Sequence, residues 1–247
     1  MKPWPYPLWL AHRGAGKLAP ENTLAAFRAG AALGWRAFEC DAKLSRDGEA
    51  FLLHDDTLER TTGGQGSPAG QDWAELARLD AGAWHSPPYA AEPLPRLAQI
   101  AAFCRANGCA LNIEIKPCPG TEAATGAAVA REAARLWAGA ALPPLLSSFQ
   151  PEALAAARDA EPALPRALLL DTLWPGWPDT ARALGVVAVI THWRLMDAAL
   201  TQQLHASGWR ALAYTVNDAT EAARLIAQGV DGVISDAVDR LGPGSGA

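Results

Sequence analysis

The sequence predicts an α/β protein built as a closed (β/α)8 barrel of the TIM type, with a β-hairpin at its mouth and a small insertion after the hairpin. Three observations carry that expectation. Short apolar runs alternate with amphipathic helical stretches through most of the 247 residues, the pattern of a parallel sheet covered by helices. The runs compatible with parallel pairing number eight, which favours a closed barrel over an open doubly wound sheet. One further run, Ala50 to His54, follows its predecessor after only Ser45-Arg46-Asp47-Gly48-Glu49. So short a connector permits only an antiparallel return, because a parallel crossover takes a dozen residues or more.

Taken in order, Leu8 to Ala11 is a buried strand that ends in His12-Arg13-Gly14. Asn22 or Thr23 can cap the helix that follows, whose Leu24, Phe27 and Ala31 share a face. Trp35 to Leu44 is the second strand and Ala50 to His54 its return. Residues 56–93 break the rhythm with Gly63-Gly64, Gly66, Gly70, Pro68, Pro87 and Pro88, as an insertion over one end of the fold would. A helical candidate at Trp73 to Leu79 lies within it, and a helix resumes at Leu97. Strands then read at 110–115, 145–149, 167–170, 186–190, 211–215 and 232–235. Helices fall between them at 121–138, 151–160, 178–184, 197–207 and 219–228. The expectation is one domain over residues 1–241, followed by a frayed tail at 242–247.

Composition narrows the function. Half the residues are hydrophobic, 19% are charged, and the formal net charge is −5, a globular profile without the basic face that nucleic acid would require. No stretch approaches the 18 or so consecutive apolar residues of a membrane span. Three prolines interrupt the first ten residues where a signal peptide would have its apolar run. The four cysteines, Cys40, Cys104, Cys109 and Cys118, form neither a C-x-x-C pair nor a disulfide framework, so they read as reduced thiols in a cytoplasmic chain. No G-x-G-x-x-G, P-loop, G-x-S-x-G or H-E-x-x-H pattern appears.

Chemistry collects at the strand ends, where barrels of this type keep their active sites. Asp47-Gly48 is a hairpin signal. A two-residue loop there pairs Arg46 with Glu49 and sets Asp41 opposite His54, with Glu39 on the face of Asp41. The first strand ends in His12-Arg13, and the strand at 110–115 leads into Glu114 and Lys116. Glu39, Asp41 and Glu114 suit a hard divalent cation, Mg²⁺ or Ca²⁺. Arg13 and Lys116 suit phosphate oxygens, although Arg13 could instead pair with Glu39 or Asp55. His12 and His54 titrate near neutrality, as the acid and base of a phosphodiester cleavage would. Glu21, Asn22, Asn217 and Asp236 are expected to cap helices and pin loops.

These residues stand in motifs that resemble the glycerophosphodiester phosphodiesterases, in order and over nearly the whole chain. They are His12-Arg13-Gly14, Pro20-Glu21-Asn22-Thr23, Glu39-Cys40-Asp41, His54 to Thr62, Glu114-Ile115-Lys116, Ser148-Phe149, Thr215-Val216-Asn217 and Asp231 to Asp236. The resemblance implies a TIM-barrel hydrolase that uses a divalent metal to cleave glycerophosphodiesters, small-molecule substrates, into glycerol 3-phosphate and an alcohol. It implies acid–base roles for His12 and His54, metal ligation by Glu39, Asp41 and Glu114, and phosphate contact by Arg13 and Lys116. Tyr214 stands where the family usually carries tryptophan, which bears on the apolar wall rather than the chemistry. Phe149, Trp174, Trp177, Trp193 and Tyr214 follow or end strands on the site's face. They form either an apolar rim around the substrate or a cover for loop backbone. A phospholipid head-group lipase on a related barrel would need a membrane-docking surface, and a catalytically silent binding barrel would not need all these groups. The head-group alcohol and the choice between monomer and homodimer are left open by the sequence.

Overall fold

In the computed structural model, which describes residues 3–243, eight parallel strands close into a barrel and a ninth is added to one of them. The parallel strands are β1 (Trp9–Ala11), β2 (Ala37–Leu44), β4 (Ala110–Ile115), β5 (Leu145–Ser148), β6 (Arg166–Leu170), β7 (Ala188–His192), β8 (Arg210–Tyr214) and β9 (Gly232–Ser235). β1 pairs with both β9 and β2, which shuts the barrel. The antiparallel addition is β3 (Ala50–Leu52), hydrogen-bonded to β2. The helices are α1 (Leu24–Ala32), α2 (Trp73–Leu76), α3 (Leu97–Ala106), α4 (Glu122–Leu136), α5 (Pro151–Ala160), α6 (Trp177–Leu184), α7 (Ala198–Ala206) and α8 (Ala219–Ala227). Thr23 caps α1, its hydroxyl accepting from the Ala26 N–H at 3.2 Å. Gly244–Ala247 of the expected tail lie outside the described residues, whereas Gly242 is buried against Trp35.

Strand alternation divides the core in two. Leu10, Ala37, Ala110, Leu145, Ala167, Leu169, Ala188, Ile190, Leu212 and Ile234 fill the barrel interior. The intervening residues, with Phe38, Ile113, Leu168 and Val189 among them, face the helices. Trp4 and Tyr6 pack beneath the interior cluster and close the lower end, where the Tyr6 hydroxyl donates to the Pro143 carbonyl at 3.0 Å. Two residues further up the same parity come Glu39, Asn112 and Ser147, and above them Asp41 and Glu114. The barrel is therefore greasy at its base and ionic at its mouth.

The hairpin differs from its expected register by one residue. Ala42 pairs with Leu52, Lys43 with Phe51 and Leu44 with Ala50, so Asp41 faces Leu53, whose N–H donates to the Asp41 carbonyl at 3.0 Å. The loop has three residues rather than two. Gly48 alone in it takes the left-handed conformation (φ 86°), the geometry of a turn closed by a glycine bulge. Asp47 serves through its side chain instead, accepting from the Trp73 N–H at 2.9 Å and tying α2 to the hairpin. The insertion beyond it packs a small core of its own from Phe51, Leu53, Leu58, Trp73, Leu76, Ala81 and Leu94.

Because Gly48 sits at φ 86°, a side chain there is strained by about 1–2 kcal/mol. Gly48→Val is expected to lower the stability of the barrel by about that amount in urea unfolding, with an unchanged denaturant slope.

Candidate active site

The site is assembled from strand ends and from the loops that follow them. After β1 the chain turns sharply, with Arg13 at φ 51° and Asn22 at φ 59°, a conformation costing on the order of 1–3 kcal/mol for a residue with a side chain. That turn lets the Arg13 N–H donate to Glu39 Oε2 at 3.0 Å while its guanidinium reaches Glu21 at 2.7 Å. Arg13 Nε lies 3.2 Å from Asp41 Oδ2, an ion pair without hydrogen-bond alignment. Asn22 clasps Asp41 twice: its Nδ2 donates to Asp41 Oδ2 at 2.7 Å, and the Asp41 N–H donates to its Oδ1 at 3.0 Å. At Gly16 (φ 56°) a Cβ would lie 2.0 Å from the Asp236 carbonyl oxygen, so only glycine lets this loop press against the end of β9.

That contact delivers the partner of His12, whereas His54 takes its own from the next residue in the chain. His12 Nδ1 is 2.6 Å from Asp236 Oδ1, and Asp236 Oδ2 accepts from Asn217 Nδ2 at 3.0 Å. His54 Nδ1 is 2.7 Å from Asp55 Oδ1. Asp55 in turn is gripped through both oxygens by Arg60, which also holds both oxygens of Glu21 at 2.9 and 2.7 Å. One guanidinium thus links the supports of His54 and Arg13. Each ring leaves its Nε2 free of such a carboxylate clasp, and that of His12 lies 3.8 Å from Glu39 Oε2.

Glu39, Asp41 and Glu114 are all buried and bring ligand atoms within 4.8 Å of one another. Burial and the neighbouring Asp41 push the Glu39 carboxyl up to about 8. The same two causes raise Glu114. Burial would raise Asp41 too, but Arg13, Lys116 and His54 outweigh it and hold that carboxyl well below the usual range. Lys116 donates to Glu114 Oε1 at 2.8 Å and stands 3.9 Å from Asp41. Glu39 Oε1 is buried with no hydrogen-bond partner, an orphan acceptor in an all-oxygen donor set that fits a hard divalent ion. Burial disfavours the charged form of His12, yet Asp236 and Glu39 outweigh it and raise the imidazole above its ordinary 6.5. For His54 burial prevails, helped by Arg13 and Lys116, and the value falls below 6.5.

A cavity of about 220 Å³ opens over these groups, lined by His12, Arg13, Glu39, His54, Asn112, Glu114, Lys116, Phe149, Leu169, Tyr214, Thr215 and Ile234. Asp41 lies just beneath its surface, 1% exposed. A larger apolar cleft of about 500 Å³ at the opposite end, between the N-terminal segment, Leu142 and Pro143, gathers no set of acids or imidazoles. Phe149 and Tyr214 form an aromatic wall, edge to face at 5.6 Å. Trp174 and Trp193 do not line the cavity; both pack against the core between barrel and helices. The reason for Trp193 is parity, since β7 runs to His192, two residues beyond the expected end, and turns the next side chain outward. Glu21, Asn22, Asn217 and Asp236 do more than pin loops, because each holds a site side chain or its support. Arg60 was not singled out by sequence, where it reads as one arginine in a polar loop.

The chain matches the model of the glycerophosphoryl diester phosphodiesterase family over residues 12–240. It is 31% identical to the Bacillus subtilis protein YhdW over 93% of this chain and 94% of that one. It is 29% identical to a glycerophosphodiester phosphodiesterase of Caldanaerobacter subterraneus, covering 95% and 96%. Among solved structures it resembles a phosphodiesterase of Oleispira antarctica captured with its product sn-glycerol-3-phosphate, at 35% identity and a TM-score of 0.87 over 94% of both chains.

The support of His54 gives two opposed expectations. Asp55 favours the imidazolium, so Asp55→Asn is expected to lower the His54 titration midpoint in an NMR titration. Arg60 draws on the same carboxylate, so Arg60→Leu moves the midpoint upward.

Proposed function

Since the chain belongs to the glycerophosphoryl diester phosphodiesterase family, we propose that it hydrolyses glycerophosphodiesters to glycerol 3-phosphate and an alcohol, with His12 and His54 as the acid–base pair. The observation that carries this reading is the pair of imidazoles, each fixed by its own carboxylate and pushed in opposite directions beside one acidic trio. Two titratable groups displaced apart divide the roles between them.

His54, held toward neutrality, takes the proton of the attacking hydroxyl. His12, held toward the imidazolium by Asp236, gives a proton to the leaving oxygen as its bond to phosphorus breaks. Arg13 and Lys116 stand on the cavity wall as fixed cations and offset the phosphate charge that grows in the transition state. Phe149 and Tyr214 shield one side from water. The ligands we assign to a divalent ion, Mg²⁺ or Ca²⁺, are Glu39, Asp41 and Glu114. Bound there, such an ion supplies Lewis acidity at a phosphoryl oxygen. The attacking hydroxyl belongs to water or to the 2-position of the glycerol itself, and trapping of a glycerol cyclic phosphate distinguishes the two.

No helix is long and apolar enough to cross a membrane among the described residues. All four cysteines are buried and free, which suits a reducing compartment. We assign the protein to the cytoplasm, within glycerol and lipid metabolism.

A coupled assay of glycerol 3-phosphate release from glycerophosphocholine tests the reading. EDTA is expected to abolish activity and Mg²⁺ or Ca²⁺ to restore it. His12→Asn and His54→Asn are each expected to lower kcat by about 10²–10⁴-fold while the thermal transition is retained. Turnover indifferent to chelation, or to both histidine changes, would contradict it.

A further inference from the structure

One buried cation stands outside the catalytic machinery. Lys43 continues the alternation of Glu39 and Asp41 along β2, yet it is fully buried and does not line the cavity. Its ammonium donates to Asp56 Oδ1 at 3.0 Å and to the Lys116 carbonyl at 3.1 Å, with Cys118 Sγ at 3.9 Å. Burying an ammonium is costly, and an alkyl side chain would fill the space without that cost. The carboxylate it meets, Asp56, is 56% exposed, so solvent screens the pair and it contributes little to stability. Stability alone does not account for a charge in this place.

What the ammonium holds is backbone. β4 ends at Ile115, so the Lys116 carbonyl lies beyond the regular strand. The Lys116 N–H donates to the Ala42 carbonyl at 2.9 Å, and its own carbonyl accepts from Lys43. Two successive residues of β2 therefore grip both polar groups of the Lys116 backbone. We propose that Lys43 is a positioning residue, whose ammonium pins that backbone so that the Lys116 side chain keeps its place on the cavity wall. Lys116 Nζ is held there 2.8 Å from Glu114 Oε1 and 5.5 Å from the centre of the Phe149 ring. This rests on the hydrolase reading, in which Lys116 offsets phosphate charge, and adds the device that aims it. A fixed cation displaced by about 1 Å loses much of its effect on a transition state.

A double-mutant cycle on glycerol 3-phosphate release from glycerophosphocholine in Mg²⁺ buffer tests the assignment. Lys43→Met is expected to lower kcat/KM by about tenfold to a hundredfold, with the protein folded at the assay temperature. In a Lys116→Ala background, itself impaired, the same change should cost less than about twofold, because the group it positions is gone. Losses that multiply in the double variant would overturn the proposal, since Lys43 would then act on other site groups or on the fold at large. An unchanged kcat/KM in Lys43→Met would overturn it equally. Lys43→Gln keeps a polar end in the buried site and carries the same cycle if Lys43→Met does not fold. Its loss is expected to be smaller, and again absent without the Lys116 ammonium. Unimpaired turnover by Lys116→Ala would refute that residue's phosphate role and this proposal together. No turnover by the unaltered protein would refute the hydrolase reading on which both stand.

Discussion

Mutual repulsion among three buried carboxylates is the constraint around which the mouth of this barrel is arranged. With ligand atoms no more than 4.8 Å apart, each pair of full charges repels by about 3 kcal/mol or more at the effective dielectric of a partly buried site. Arg13 and Lys116 answer this most directly at Asp41, which both face. Glu39 receives the least relief, and its carboxyl rises to about 8 while one oxygen is left without a partner. A divalent cation is the simplest group that would satisfy all three at once.

The rest of the molecule makes that crowding tolerable. Below the acids the interior is alkyl and shut by Trp4 and Tyr6, which gives the strands a rigid platform. Above them the cations are themselves held: Arg13 by Glu21, and Glu21 by an Arg60 that also fixes Asp55. Strain in the β1–α1 loop, visible in the positive φ of Arg13 and Asn22, is offset by hydrogen bonds that both residues make to the acidic trio. Lys43 shows the same economy of charge at the hairpin. It is fully buried and donates to Asp56 at 3.0 Å and to the Lys116 carbonyl at 3.1 Å, joining the insertion to the loop that carries Lys116.

The barrel was legible because its signals are local: strand alternation, capping residues such as Thr23, and a connector too short for a crossover. The hairpin register was not, since Asp47-Gly48 is compatible with loops of two or three residues and the choice fell to the contact between Asp47 and Trp73. His54 nevertheless faces the cavity, because β3 ends at Leu52 and the chain leaves the strand before that residue. Partners that meet across long loops, such as Asp236 with His12 and Arg60 with Glu21, leave no periodic trace in the sequence. Aromatic residues near strand ends were the least readable. A shift of two residues in the end of β7 is enough to place Trp193 outside the barrel rather than in the cavity.

Calorimetric titration of the protein with Mg²⁺ or Ca²⁺ at pH 7, repeated in two buffers of different ionisation enthalpy, tests the cation requirement most directly. Burial and Asp41 raise both Glu39 and Glu114, so binding is expected to release protons, and Glu39→Gln should reduce that release. Absence of binding at millimolar ion, or binding with no proton released, would contradict the account.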